Sequence, residues 1–185
     1  MNLPNKLTIM RMCLIPFMVV ALQLGLMESF EALPLATARL IAMGIFIIAA
    51  VTDFFDGFIA RKYDLSTDFG RFMDPLADKV LVMSAMVYMV VLGDISPWIL
   101  ILMESREFVI SGVRMIAANK NIVISAGILG KIKTVVQMVM IPTVLANLPS
   151  TFLDIIGTIL IYAAVILTVV SAIDYIWNNR KVLMS

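Results

Sequence analysis

The chain has 185 residues, of which 62% are hydrophobic and 15% are charged, with a formal net charge of +1 and a mean hydropathy of +1.02. A soluble domain is nearer half apolar and a quarter charged, so this composition indicates an integral membrane protein. The absence of histidine and the single cysteine exclude imidazole chemistry, a zinc site and an internal disulfide, and without a basic run we expect no nucleic-acid partner.

Six apolar segments predict six transmembrane helices, each close to the roughly 20 residues that a bilayer core requires. The predicted spans are 7–27, 35–58, 73–92, 96–117, 127–147 and 152–176. They leave little of the chain over, so we predict one all-α, membrane-embedded domain over residues 1–185. Cys13 lies in the first span, where we expect a buried, inert thiol. A cleaved signal peptide is not expected, because the small residues Ala36 and Ala38 lie too far from the start.

The basic residues occur at alternate ends of these spans, which predicts the topology. One set of ends holds Lys6, Arg11, Arg61, Lys62, Arg71, Lys120, Lys131, Lys133, Arg180 and Lys181. The other connections, 28–34, 93–95 and 148–151, hold Glu28, Glu31 and Asp94 but neither Lys nor Arg. Cytoplasmic loops carry an excess of Lys and Arg, so both termini are predicted to be cytoplasmic in a multi-pass protein of the cell membrane.

Four carboxylates lie at helical spacing across spans 2 and 3, in the pattern Asp53-x2-Asp56-Gly57-x2-Ala60-Arg61-x8-Gly70-x3-Asp74-x3-Asp78. Residues three or four apart share a helix face, so two adjacent helices can direct all four carboxylates at one volume. Carboxylates this close repel unless they take up protons or cations lie among them. Oxygen ligands suit Mg²⁺ or Mn²⁺, and two such ions about 3.5–4 Å apart are a common device for phosphoryl transfer.

The residues between these carboxylates carry further expectations. Gly57 and Ala60 would let a ligand or backbone approach closely, and the guanidinium of Arg61 suits a phosphate or a carboxylate. The polar run 61–72 is predicted to be a connection, with Gly70 in a tight turn. Span 3 would begin near Asp74, with Pro75 in its first turn. The remaining aspartates at helix ends are expected to be solvated: Asp64, Asp68, Asp94, Asp154 and Asp174.

Spans 4 and 5 hold a second group of charges. Arg106 and Glu107 lie deep enough in span 4 to require partners or a polar cavity. Together with Arg114, Lys131 and Lys133, Arg106 predicts a cationic patch that suits a phosphate-bearing ligand. For Lys131 and Lys133, anchoring at the cytoplasmic membrane face is an equally good explanation.

The carboxylate pattern resembles the signature of the CDP-alcohol phosphotransferases, and every fixed position is present within 26 residues. The resemblance implies that a nucleotide-linked alcohol passes its phosphoalcohol part to an acceptor hydroxyl while CMP leaves. It implies metal ligation by Asp53, Asp56, Asp74 and Asp78, with Asp78 also acting as general base. It also implies a cytidine pocket formed by Gly57, Ala60 and Gly70 with Asp53 and Asp74, beside which Arg61 lies.

Three more elements resemble the phosphatidylglycerophosphate synthases within that family. They are Pro4-Asn5-x-Leu7-Thr8-x2-Arg11, Arg106-Glu107-x3-Ser111-x2-Arg114 and Gly130-Lys131-x-Lys133-Thr134-x2-Gln137. The resemblance implies CDP-diacylglycerol as donor, sn-glycerol 3-phosphate as acceptor near Arg106, Arg114, Lys131 and Lys133, and a homodimer. Asn5 and Thr8 would contact the donor phosphate, with helix capping as the alternative.

Other functions compete with this one. The acceptor could instead be inositol phosphate, serine or phosphatidylglycerol. A cation transporter also places carboxylates in a membrane. Transport sites, however, usually lie near the bilayer midplane, between two repeated halves of the protein. Here the carboxylates cluster near one face and no internal repeat is visible, which disfavours transport.

Overall fold

Six α-helices make up the part of the chain that this computed structural model describes, residues 3–27, 33–63, 68–120, 122, 124 and 127–180. Within these ranges, the side chains of residues 3, 4, 54–63, 68, 69, 71, 72 and 119 are outside the described part. The helices are α1 Leu3–Leu26, α2 Leu35–Tyr63, α3 Asp68–Val91, α4 Pro97–Asn119, α5 Ile128–Ala146 and α6 Thr151–Asn178. Each predicted span coincides with one helix and the described ranges contain no strand, which confirms the all-α prediction.

Four of the described helices, α1, α2, α5 and α6, are long and apolar enough to cross a membrane. The other two, α3 and α4, have 24 and 23 residues, and at about 1.5 Å per residue they too match a hydrocarbon core of about 30 Å. Their hydropathy is lower because they carry more charged side chains, including Asp74, Asp78 and Lys79 on α3 and Glu104, Arg106 and Glu107 on α4. The chain is a multi-pass membrane protein, and the crossing of the membrane by all six helices stays a prediction.

The outer surface of the bundle is apolar. Large exposed side chains include Phe17, Ile48, Phe108 and Ile159 on four different helices. Such a surface suits contact with lipid rather than water. Cys13 is also exposed, so the prediction of a buried thiol is wrong. The buried Ile15 lies two residues later, roughly 200° around the helix, and turns Cys13 outwards.

Helices that follow one another in the chain run in opposite directions, so each end of the bundle contains the beginnings of some helices and the ends of others. α1 packs on α2 and α3, α5 packs on α2, α3 and α6, and α4 packs on α3 and α6. The shared core is formed by fully buried apolar side chains, including Met18, Leu22, Phe46, Leu81, Met86, Met103 and Ile141. One end of the bundle, the site end, therefore gathers the beginnings of α1, α3 and α5 and the ends of α2, α4 and α6.

The connection between α2 and α3 differs from its prediction. α2 continues to Tyr63 and α3 begins at Asp68, so most of the predicted connection 61–72 is helical. Pro75 is the eighth residue of α3 rather than part of its first turn, and Gly70 is a buried helical residue rather than part of a tight turn. Those predictions are wrong because hydropathy locates the apolar part of a helix, whereas polar turns extend beyond it.

At the opposite end of the bundle, two helices are followed by residues in the left-handed conformation, and an ion pair joins α2 to the connection between α3 and α4. Gly93 follows α3 with φ 80°, and Asn147 ends α5 with φ 41°, both in the left-handed region that terminates helices. Arg39 of α2 forms an ion pair with Asp94, and their side chains are only 5% and 15% exposed. Asp94 was expected to be solvated, which is wrong because the buried guanidinium of Arg39 recruits it as a counter-ion.

Candidate functional site

Two residues of α1 hold two of the predicted metal ligands. Arg11 Nη1 lies 2.5 Å from Asp53 Oδ1, and Thr8 Oγ1 donates a hydrogen bond of 2.5 Å to Asp74 Oδ1. Thr8 and Arg11 are three residues apart, so they share a face of α1 and reach α3 and α2 together. Both are buried, at 1% and 0% exposure. The first helix is therefore part of the site rather than only a membrane anchor.

The positions of Asn5 and Thr8 in α1 decide whether either residue caps the helix. Thr8 is the sixth residue of α1, and Asn5 is the third, so neither occupies the position that caps a helix. The capping explanation is wrong for the described helix. Contact of Asn5 and Thr8 with the donor phosphate stays a prediction.

Asp78 provides the observation that bears on a metal. Its Oδ1 atom is buried and accepts no hydrogen bond from any residue that the structure describes, and its charge interacts with that of Asp53. An unpaired carboxylate oxygen near a second carboxylate fits the ligand set of a hard divalent cation. The described side chains contain no group of three or more acids that could hold a metal ion, and the side chain of Asp56 is outside that part. The four-aspartate site stays a prediction.

The structure leaves the contacts of four predicted donor residues open. Gly57, Ala60 and Arg61 lie in the last turns of α2, beyond the described side chains, and Gly70 is buried in the first turn of α3. Their proposed contacts with cytidine or phosphate therefore stay predictions.

A small cavity of about 50 Å³ lies beside Asp78, between α3, α4 and α5. We refer to it as the Asp78 cavity, and its charged lining residues are Asp78, Lys79, Glu104, Glu107 and Lys133. Lys133 Nζ donates hydrogen bonds to Glu107 Oε1 at 2.9 Å and to Gln137 Oε1 at 2.5 Å. The side chain of Lys133 is 2% exposed, so anchoring at the membrane face does not describe it.

A larger cavity of about 360 Å³ lies next to it, between α3, α4, α5 and α6, and has the size of a small-molecule site. We refer to it as the cationic cavity. Its charged lining residues are the basic Lys79, Arg106, Arg114 and Lys131 and the acidic Glu107 and Asp174, an excess of two positive charges. Three predicted phosphate-binding residues, Arg106, Arg114 and Lys131, thus meet in one cavity, whereas Lys133 faces the neighbouring one.

Hydrogen bonds position Arg106 and Arg114, two of the basic side chains of the cationic cavity. Arg106 Nη1 donates to Glu107 Oε1 at 2.7 Å, and Arg106 Nη2 donates to Ser171 Oγ at 3.1 Å. Arg114 Nε donates to the Tyr175 hydroxyl at 3.3 Å. The requirement that Arg106 and Glu107 find partners or a polar cavity is met on both counts.

The contributions of α6 and of Lys79 to the site were not predicted from the sequence. Ser171, Asp174 and Tyr175 of α6 line the cationic cavity, although Asp174 was expected to be solvated. Their spacing of three and four residues marks one polar face on an otherwise apolar helix, and that signal was available. Lys79 follows Asp78 directly, and its Nζ donates a hydrogen bond of 2.5 Å to Ser111 Oγ.

The two cavities share part of their walls. Lys79, Glu107 and Thr134 line both of them. A phosphate bound in the cationic cavity would therefore lie next to the space into which the Asp78 carboxylate opens. This arrangement can hold an anionic group while a neighbouring carboxylate accepts a proton.

Comparison with known proteins agrees with the geometry. A family model described as CDP-alcohol phosphatidyltransferase matches residues 1–170. The chain is 41% identical to the CDP-diacylglycerol–glycerol-3-phosphate 3-phosphatidyltransferase of Bacillus subtilis (strain 168), over 98% of this chain and 97% of that protein. It is 34% identical to the protein of the same name from Rickettsia bellii (strain RML369-C), over 97% and 96% of the two chains. With the Salmonella typhimurium (strain LT2) protein, also of that name, the identity is 39% over 97% and 95%.

Proposed function

The chain belongs to the CDP-alcohol phosphatidyltransferase family, and we propose that it transfers the phosphatidyl group of CDP-diacylglycerol to sn-glycerol 3-phosphate. The products are phosphatidylglycerophosphate and CMP. The observation that carries the choice of acceptor is the cationic cavity, with its excess of two positive charges, beside Asp78. A phosphate monoester carries about −1.5 to −2 charges at neutral pH, so the charges of acceptor and cavity match.

The acceptor phosphate binds Arg106, Arg114 and Lys131, and the acceptor hydroxyl points across the shared wall towards Asp78. Charge-assisted hydrogen bonds of this kind give both affinity and orientation. The donor binds on the other side of Asp78, with its acyl chains in the bilayer. Its headgroup contacts the predicted donor residues, Asn5, Thr8, Asp53, Gly57, Ala60, Arg61, Gly70 and Asp74.

The reaction is a direct displacement. Asp78 takes the proton from the 1-hydroxyl of glycerol 3-phosphate, and the resulting oxygen attacks the β-phosphorus, which carries diacylglycerol. The bond from that phosphorus to the oxygen bridging to the α-phosphate breaks, and CMP leaves with this oxygen. A positioned general base contributes about 10²–10⁴ to the rate of such a step.

The family generally uses a divalent metal, and the orphaned Oδ1 atom of Asp78 fits such a ligand. Asp53, Asp56, Asp74 and Asp78 would hold Mg²⁺ or Mn²⁺, as two ions in our proposal. When bound, the metal would supply positive charge that offsets the negative charge of the donor pyrophosphate. Arg11 and Thr8 hold Asp53 and Asp74 in place and limit their mutual repulsion.

We further propose that the site end faces the cytoplasm, in the cell membrane, and that the protein is a homodimer. Of the basic residues in the predicted cytoplasmic segments, those with described side chains lie at the site end, which is what the positive-inside rule predicts for a cytoplasmic face. The homodimer is proposed from the family alone.

The test is an assay of CMP release from CDP-diacylglycerol in detergent micelles with Mg²⁺. Glycerol 3-phosphate, inositol 1-phosphate, serine and phosphatidylglycerol are compared as acceptors. Release with glycerol 3-phosphate alone, lost on addition of EDTA, is the expected result. Release with a different acceptor would reject the assignment of the cationic cavity, and no release from folded protein would favour the transporter alternative.

A further inference from the structure

The wall shared by the two cavities is where the middle of the proposed acceptor has to lie. Lys79, Glu107 and Thr134 line both the cationic cavity and the Asp78 cavity. In the proposed function, the phosphate of glycerol 3-phosphate binds in the first cavity, and its 1-hydroxyl points towards Asp78. The carbon between these two ends, C2, therefore passes the shared wall, and it carries the remaining hydroxyl of the acceptor.

Glu107 is the carboxylate that the described linings of both cavities share. Its Oε1 atom accepts hydrogen bonds from Arg106 Nη1 at 2.7 Å and from Lys133 Nζ at 2.9 Å, whereas no residue of the described part of the chain donates a hydrogen bond to its Oε2 atom. The side chain of Glu107 is 27% exposed, so a ligand can reach it. An ionised carboxylate accepts hydrogen bonds on both oxygens, so Oε2 can accept one from a ligand hydroxyl.

The other two residues of the shared wall are weaker candidates for this role. Lys79 Nζ donates a hydrogen bond of 2.5 Å to Ser111 Oγ, and an ammonium group cannot accept one. Thr134 Oγ1 donates to the carbonyl oxygen of Gly130 at 3.0 Å. The lone pairs of Thr134 Oγ1 can still accept, but a neutral hydroxyl is a weaker acceptor than a carboxylate. A ligand hydroxyl at this wall therefore has Glu107 as its strongest acceptor.

The two cations beside Glu107 make its carboxylate compatible with a nearby phosphate. The side chains of Arg106 and Lys133 are at most 9% exposed, and both donate to the same carboxylate oxygen. Two cations and one carboxylate leave this group with one positive charge. The group as a whole therefore attracts an anionic acceptor, although one of its members is an acid.

We infer, on the basis of the proposed function, that Glu107 recognises the 2-hydroxyl of glycerol 3-phosphate through its Oε2 atom. The hydroxyl donates the hydrogen bond and the carboxylate accepts it, while the phosphate stays with Arg106, Arg114 and Lys131. Glu107 thereby selects an acceptor that carries a hydroxyl on the carbon next to the reacting one. It contacts the substrate away from the reacting atoms, so it determines specificity and takes no part in the proton transfer.

The first test compares two acceptors of the wild-type protein in the CMP-release assay. They are sn-glycerol 3-phosphate and 3-hydroxypropyl phosphate, which lacks only the 2-hydroxyl. Both have the same phosphate and the same primary hydroxyl, so the ratio of their kcat/KM values isolates the 2-hydroxyl. This ratio should be roughly 10–150 in favour of glycerol 3-phosphate, the effect of a hydrogen bond to a charged group. A ratio below about three would overturn the inference.

The second test is the same ratio in Glu107→Gln. It should fall at least about fivefold, because the amide can still form a hydrogen bond but lacks the charge. Loss of the charge also affects phosphate binding, but it does so for both acceptors alike and cancels in the ratio. Glu104→Gln is the matched control, since it removes an acid from the same helix that lines the Asp78 cavity but not the shared wall. Its ratio should stay within about twofold of the wild type, and the same result in Glu107→Gln would overturn the inference.

Thr134→Val gives an independent measurement should Glu107→Gln not fold. Valine has a similar shape and removes the other oxygen acceptor of the shared wall. The ratio should stay within about threefold of the wild type, because Glu107 accepts the hydrogen bond. A larger fall would make Thr134 the residue that recognises the 2-hydroxyl and would reject the inference. Failure of the proposed function appears separately, as wild-type protein that releases no CMP with glycerol 3-phosphate.

Discussion

Arg11 Nη1 of α1 lies 2.5 Å from Asp53 Oδ1 of α2, so a buried cation neutralises one of the predicted metal ligands. Arg11 is fully buried whereas the side chain of Asp53 is 38% exposed. A divalent ion bound by Asp53 would share this carboxylate with the guanidinium. The ion pair and the metal are therefore linked, and their linkage can be measured without turnover.

Replacing Arg11 should make the folded protein depend more strongly on metal. Arg11→Met leaves Asp53 without this cation, and we expect it to lower the free energy of unfolding by about 1–3 kcal/mol, less than for a fully buried pair because Asp53 is partly exposed. Mg²⁺ should raise the Tm of this variant by more than it raises the wild-type Tm. Arg39→Met, which breaks the ion pair at the opposite end, should lower Tm while preserving the wild-type response to Mg²⁺. Equal responses in Arg11→Met and the wild type would contradict this prediction.

Removing the proposed base should abolish turnover without preventing donor binding. Asp78→Asn is expected to reduce kcat at least about 100-fold, because an amide cannot accept the proton of the acceptor hydroxyl. The affinity for CDP-diacylglycerol should stay within about threefold of the wild-type value, measured by binding in micelles. Asp154→Asn, far from the site, serves as the control. A near-normal kcat in Asp78→Asn would reject the role of Asp78.

A direct displacement also predicts the behaviour of CMP. Labelled CMP should not exchange into CDP-diacylglycerol when no acceptor is present, because breaking the donor bond requires the attacking hydroxyl. Rapid exchange under these conditions would show a covalent phosphatidyl-enzyme intermediate instead. Scintillation counting of the recovered lipid distinguishes the two mechanisms.

Arg114 should affect the acceptor and not the donor. It is exposed in the cationic cavity, and its hydrogen bond and ring contact both go to Tyr175, a neutral side chain. Arg114→Ala should raise KM for glycerol 3-phosphate by roughly 10–150-fold, the effect of losing a charge-assisted hydrogen bond. KM for CDP-diacylglycerol should change by less than about threefold. Lys120→Ala, just beyond the end of the same helix, is the matched control, and an equal loss for both substrates would argue against the acceptor site.

Gly130 leaves space for the guanidinium of Arg106. A Cβ atom at this position would lie 2.9 Å from Arg106 Nη2, which is too close for the side chain to keep its position. Gly130→Ala should therefore raise the acceptor KM several-fold, although alanine in a helix raises stability by about 0.5–1 kcal/mol relative to glycine. Gly112→Ala in α4, where a Cβ atom meets nothing within 4 Å, is the control. Steady-state kinetics measures the KM for glycerol 3-phosphate, and thermal unfolding shows whether the variant is folded. An unchanged KM in a folded Gly130→Ala variant would disprove the prediction.

Local patterns in the sequence predicted most of the fold and the grouping of three basic residues in the candidate site. Apolar segments located all six helices, because lipid contact requires a continuous apolar stretch. The convergence of the aspartates on one metal site stays a prediction. Of the four basic residues expected in one patch, Arg106, Arg114 and Lys131 meet in one cavity, and Lys133 faces the neighbouring one. These features depend on residues a few positions apart or on the charge of a whole segment.

Pairings between distant helices could not be predicted in this way. Thr8 and Asp74 are 66 residues apart, and Arg39 and Asp94 are 55 apart, so no local period connects them. The hydrogen bond from Lys133 to Glu107 likewise depends on which face of α5 meets α4. Hydropathy gave no indication that α2 and α3 extend into the polar run, since the last turn of α2 and the first turns of α3 lie outside the apolar stretches.

The two ion pairs of α2 have a mechanical consequence. Arg39 is paired with Asp94 at one end, and Asp53 is paired with Arg11 about 21 Å further along the helix axis. A shift of α2 by one turn, about 5.4 Å, would break both contacts at once. The two ion pairs therefore fix the axial position of α2 relative to α1 and to the connection between α3 and α4, where Asp94 lies.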